Sequence, residues 1–97
     1  MITQGLYKVL ESSTTQVSVK LSDDSHPIFQ AHFPNNPILP GFVHLEIIAD
    51  LFELKITSIK KAKYTAIIRP SQTLRYIRDK NKFKVLCEEK TVASFVL

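Results

Sequence analysis

A chain of 97 residues holds one domain with one core, and 44% hydrophobic with 23% charged residues makes it globular rather than disordered. A single cysteine, Cys87, excludes a disulfide framework and a cysteine-based metal site, and no run approaches the ~18 apolar residues that span a bilayer. The net charge of +4 is uneven: residues 1–50 carry two Lys against five acids, and residues 51–97 carry eleven basic residues against four acids.

The opening MITQGLYKV lacks the charged-then-apolar order of a signal peptide, so a reducing compartment, the cytoplasm, is the expected location. Leu6 to Leu21 is rich in β-branched residues, and Val17, Val19 and Leu21 alternate with Ser18 and Lys20. That period of two predicts a half-buried strand, and Ser12-Ser13-Thr14-Thr15 predicts the turn of a hairpin. His26 to Asn36 reads as a loop with room for one helical turn. Pro34, Pro37 and Pro40 bar a regular helix or central strand, and each extends the residue before it.

At Pro40-Gly41 the chain changes character. FVHLEIIADLFEL has no helix breaker and is apolar almost all round, which predicts a helix buried on most sides with Pro40 at its start. Ile56 to Ile68 and Thr73 to Ile77 show strand-like alternation. Asp79 to Lys82 resembles a hairpin turn, flanked by Phe83–Cys87 and by Val92–Leu97. The order predicts one α+β domain over residues 1–97, an antiparallel sheet wrapped around one long buried helix. Most of the basic excess, from Lys60 to Lys84, falls on these strands. It either snorkels into solvent or attracts a polyanionic partner. A nucleic-acid module is disfavoured, because interleaved exposed aromatics and a recognised motif are both missing.

Few polar residues interrupt the helix. Glu46, Asp50 and Glu53 share one face, which by geometry alone is an ordinary solvent stripe. A lone loop histidine such as His32 is ordinarily structural, and His26 and His44 have less to recommend them. A zinc site from His26, His32 and Glu46 matches no standard ligand spacing, and no metal or cofactor is expected.

Residues 32–46 read HFPNNPILPGFVHLE. This resembles the signature of the β-hydroxyacyl-acyl-carrier-protein dehydratases, approximately H-F-P-G-x-P-x-x-P-G-V-x-x-x-E. His32, Phe33, Pro34, Pro37, Pro40, Gly41 and Glu46 are on register. KKAKYTAIIRPSQTL is similar to the family's second signature at Pro70 and Leu74. The compactness is similar to that of the short dehydratase-like proteins of aryl polyene pathways.

The resemblance implies a hot-dog fold and dehydration of β-hydroxyacyl thioesters in fatty-acid or related lipid and polyene biosynthesis. His32 and Glu46 would be the acid–base pair, supplied by opposite subunits of a homodimer. The Gly41 N–H would bind the thioester carbonyl, with Phe33, Pro40, Phe42 and Asp50 beside the substrate. The substrate would be carried by acyl carrier protein or coenzyme A. The chemistry suits the residue types. A neutral imidazole, with pKa near ~6.5, can remove an α-proton, and a desolvated carboxyl can protonate a departing hydroxide. Amides in a first helical turn can stabilise the developing enolate.

Two positions depart from the pattern: Asn35 replaces a glycine, although asparagine tolerates left-handed backbone, and Asp50 replaces the usual glutamine. Two alternatives stay open. One is a hot-dog thioesterase in which Glu46 or Asp50 acts on water or on the carbonyl. The other is a non-catalytic subunit that binds acyl chains or their carrier.

Overall fold

The computed structural model describes residues 3–97. The expected hairpin forms as β1 (Tyr7–Ser12) and β2 (Gln16–Leu21), paired antiparallel. Ser13 closes the turn, its Oγ accepting from the Gln16 N–H at 3.1 Å. Val17, Val19 and Leu21 are buried while Gln16 and Lys20 are exposed, as a one-sided strand requires.

One helical turn, α1 (Pro27–Ala31), follows. Proline suits its first position, where a missing N–H leaves nothing unpaired. His26 caps it, with Nδ1 accepting from the Ile28 N–H at 3.0 Å. The second helix, α2 (Val43–Leu51), is shorter than the apolar run from Phe42 to Leu54 suggests. Glu53 turns left-handed at φ +53°, and the Leu54 N–H reaches back to the Ala49 carbonyl at 2.9 Å. This closure satisfies a terminal carbonyl and ends the helix, with a glutamate where glycine is usual.

Four strands complete the chain: β3 (Lys61–Tyr64), β4 (Thr73–Asp79), β5 (Lys82–Cys87) and β6 (Lys90–Val96). The alternation from Ile56 to Ile68 yields only the four residues of β3, all of them exposed. β3 forms because Lys61–Tyr64 pair with β6 at the sheet edge, while Ile59 and Ile67 on either side of it lie outside that pairing and stay exposed.

The strands form one antiparallel sheet in the order β1-β2-β4-β5-β6-β3, with β1 and β3 at its edges. Register places Val17, Tyr76, Val85 and Ala93 opposite one another across four strands, all buried. Val43, His44, Ile47 and Ile48 of α2 complete that core. Aromatic contacts fix the helix on the sheet: His44 lies 5.9 Å from Tyr76, and Phe52 meets Phe83 edge-on at 5.5 Å. Among the described residues, no helix is long and apolar enough to cross a membrane.

Left-handed backbone costs a glutamate roughly 1 kcal/mol that glycine does not incur. Glu53→Gly is therefore expected to stabilise the protein by about 0.5–1 kcal/mol in denaturant unfolding. A destabilised variant would show that the Glu53 side chain contributes more than its backbone costs.

Candidate active site

His32 follows directly on α1 and is half-buried. Its Nδ1 lies 3.1 Å from the Ile28 carbonyl oxygen. A carbonyl only accepts, so the neutral ring carries its proton on Nδ1 and keeps the Nε2 lone pair free of that bond. His26 is held the opposite way. Its Nδ1 accepts from the Ile28 N–H, so its Nε2 donates to the Gln4 carbonyl at 2.9 Å. Both nitrogens of His26 are thus engaged, and the same short helix leaves His32 with one nitrogen for chemistry.

The proline loop is closed by its own backbone. Phe33 and Asn36 exchange N–H···O bonds of 3.1 and 3.0 Å, and the Ile38 N–H donates to the His32 carbonyl at 2.7 Å. The turn survives the replacement of glycine by Asn35 without a left-handed residue there. The loop is also tied to the chain after β3. The Leu39 N–H donates to the Ile68 carbonyl at 2.8 Å, and Arg69 Nη1 donates to Asn36 Oδ1 at 2.8 Å. In sequence Arg69 is a basic residue of the second signature and a candidate contact for an acidic carrier; its hydrogen bond to the histidine loop needs the fold.

Gly41 precedes α2, where N–H groups have no intrahelical acceptor. A Cβ at this position would stand 2.6 Å from Cε1 of the Tyr64 ring. The glycine is needed because β3 lies over it, since its φ is not positive. Glu46 lies in the first turn of α2 with its side chain exposed. Among the described residues, no hydrogen bond or ion pair joins it to His32, and the one ion pair is Arg75–Glu89.

Asp50, one turn further on, is half-buried. Its Oδ2 accepts from Thr3 Oγ1 at 2.9 Å and from the Tyr7 hydroxyl at 2.8 Å. Burial and the adjacent carboxylate push the Tyr7 hydroxyl far above the ordinary tyrosine range. Asp50 therefore ties the start of β1 to α2. Of the residues expected beside the substrate, Phe33 and Phe42 are 53% and 52% exposed, and Pro40 is half-buried.

His44, discounted in the sequence reading, is a buried polar residue of the core. It is 2% exposed, and its Nδ1 shares a 2.9 Å hydrogen bond with the buried Tyr76 hydroxyl. Burial lowers its pKa to about 4. Among the described residues, no three or more His, Cys, Asp or Glu gather as metal ligands.

The six-stranded antiparallel sheet, its single core helix and the histidine loop at that helix's N-terminal end define a hot-dog fold of the dehydratase type. Solved structures share the architecture. The dehydratase heterocomplex ApeI:P from Xenorhabdus doucetiae matches with a TM-score of 0.66 at 20% identity, over 91% of this chain and 89% of that one. An uncharacterized protein from Erwinia carotovora subsp. atroseptica matches with a TM-score of 0.61 at 26% identity, over 91% and 86%.

A family model described as ApeI-like, ApeI dehydratase, matches residues 8–95, and the chain belongs to that family. It is also similar to the 3-hydroxyacyl-acyl-carrier-protein dehydratase FabZ of Chloroflexus aggregans, 33% identical over 79 residues. That match covers 68% of this chain and 55% of that protein, so the chain spans about half the relative's length. The FabZ of Acetivibrio thermocellus is 31% identical over 99 aligned positions, covering 88% and 68%.

The buried His44 makes a pH prediction. Its folded pKa lies below the unfolded value of 6.5, so the unfolded chain takes up the proton first as pH falls. Stability is full above 6.5 and is lost progressively between 6.5 and about 4. The loss from this group is roughly 3 kcal/mol at most. Urea unfolding of His44→Leu should lack this component of the slope; an unchanged slope would assign it to other groups.

Proposed function

We propose that this chain dehydrates β-hydroxyacyl thioesters to trans-enoyl thioesters, in fatty-acid or polyene biosynthesis in the cytoplasm. His32 is the base and Glu46 the acid. The observation that carries this reading is the His32 Nδ1–Ile28 bond, which leaves the Nε2 lone pair available at the head of the HFPNNPILPGFVHLE segment. Nε2 takes the α-proton while the Gly41 N–H holds the thioester oxygen, where negative charge gathers. Glu46 delivers a proton to the β-hydroxyl, the C–O bond breaks, and water leaves with the new double bond formed.

Two features favour a site shared between copies. Glu46 is exposed, with no link to His32 in its own chain. Phe33, Phe42, Tyr64 and Ile67, all about half exposed or more, lie on segments that the Leu39–Ile68 bond and the Gly41–Tyr64 approach draw together. A homodimer joined here would cover these side chains and bring His32 of one copy to Glu46 of the other. Phe33, Pro40 and Phe42 would then meet the acyl chain, and Asp50 would border it while anchoring β1. The basic second half suits an anionic carrier, acyl carrier protein or coenzyme A. The Xenorhabdus doucetiae complex, whose description is a heterocomplex, favours a second reading in which a related chain replaces the second copy.

Purified protein should hydrate a short trans-enoyl thioester, seen as loss of enoyl absorbance. His32→Ala and Glu46→Gln should each lower that rate about 10²–10⁴-fold. Mixing the two inactive variants through a refolding step should restore about a quarter of wild-type sites, since half of the dimers are mixed and each holds one intact pair. Failure to recover activity would refute the shared site. Release of free thiol in place of hydration would instead support a thioesterase. A lone chain that is inert with both substrates would sink the self-sufficient dehydratase.

A further inference from the structure

Beyond the C-terminal end of α2, away from Gly41 and Glu46, the connection to β3 and the β4–β5 turn border an open surface cavity of about 370 Å³. This lies within the range of small-molecule sites, which combine an apolar lining with a few fixed polar groups. Leu54, Ile56 and Phe83 supply apolar lining, Lys55, Arg78 and Lys80 supply cations, and no acidic side chain lines it.

Arg78 is the ordered cation among these. Its guanidinium carbon stands 5.6 Å from the centroid of the Phe83 ring, and its Nε donates to the Lys80 carbonyl at 3.0 Å. These two contacts hold the guanidinium plane and leave its terminal nitrogens outside both bonds. Arg78 is in no ion pair among the described residues, where the one such pair, Arg75–Glu89, engages another arginine of β4; Leu97 also borders the site, its carbonyl accepting from Asn81 Nδ2 at 3.1 Å. A half-buried, pre-oriented arginine outside any ion pair, beside an apolar lining, is complementary to an anionic head on an apolar body. An arginine fork matches a carboxylate with two parallel hydrogen bonds, which an ammonium group cannot do.

We propose that this cavity binds a small amphipathic carboxylate, its acyl tail on Leu54, Ile56 and Phe83 and its head on Arg78. This site is separate from the His32 loop and does not depend on the reaction assigned to it.

Octanoate is a suitable probe, titrated into ¹⁵N-labelled full chain. Saturable shifts are expected in the amides of residues 54–58 and 78–83, with those of residues 32–46 unmoved. Arg78→Gln should weaken binding about tenfold, and Arg78→Lys, which keeps charge but loses the fork, several-fold. Octan-1-ol should bind about tenfold more weakly than octanoate, and octyl phosphate tests whether the head need be a carboxylate. The proposal fails if no saturable shift occurs, if shifts are confined to residues 32–46, or if octan-1-ol binds as tightly. Octyl phosphate binding more tightly than octanoate would overturn the carboxylate assignment. Should Arg78→Gln lose its spectral dispersion, Arg78→Lys carries the comparison, and unchanged affinity there would count against the arginine fork.

Discussion

The arrangement depends on burying one short apolar helix against one sheet. Val43, Ile47 and Ile48 lose all contact with solvent. Each such side chain contributes roughly 1.5–3 kcal/mol when removed from water. Six antiparallel strands can surround nine helical residues only by curling, and the inward row from Val17 through Tyr76 and Val85 to Ala93 is what they curl upon. His44 completes that row at a cost, because its imidazole must stay neutral and shares its hydrogen bond with Tyr76. The helix is thereby fixed in rotation as well as depth.

That fixed rotation decides what the remaining positions of α2 can do. With residues 43, 44, 47 and 48 turned inward, Glu46 is turned out, and Asp50 faces the start of β1 where Thr3 and Tyr7 reach it. The two carboxylates, equivalent on a helical wheel, are in different surroundings. One is tied by two hydroxyls, and among the described residues the other has no hydrogen-bond or ion-pair partner. This contrast, with the exposed aromatic side chains near Gly41, is what supports the shared site proposed above.

The histidine loop shows how a local hydrogen bond sets chemistry. The backbone of α1 offers the Ile28 N–H to His26 and the Ile28 carbonyl to His32, one group to each ring. Opposite tautomers follow from which group each ring meets. Arg69 and Leu39 then hold the loop against the segment after β3. The two sequence signatures are joined physically at Asn36 and Arg69, which are 33 residues apart in the chain.

The hairpin, the last three strands, the helical turn after Ser25 and the α+β class were legible from periodicity and punctuation, because those signals act over a few residues. The spacing of His32, the prolines, Gly41 and Glu46 was equally legible, and it pointed to the family. Other features are absent from local pattern. Helix α2 stops at Leu51 because Glu53 accepts a left-handed turn that no residue type there announces. The alternation before Ile68 yields only β3, because only Lys61–Tyr64 find a pairing partner, and that partner, β6, is some thirty residues further on. His44 in the core, Asp50 as an anchor, Arg69 as a clamp and Tyr64 over Gly41 all depend on partners distant in the chain. Sequence determined which groups were present and how they were spaced. Tertiary structure alone decided which of them are desolvated or paired, because both depend on neighbours that only folding supplies.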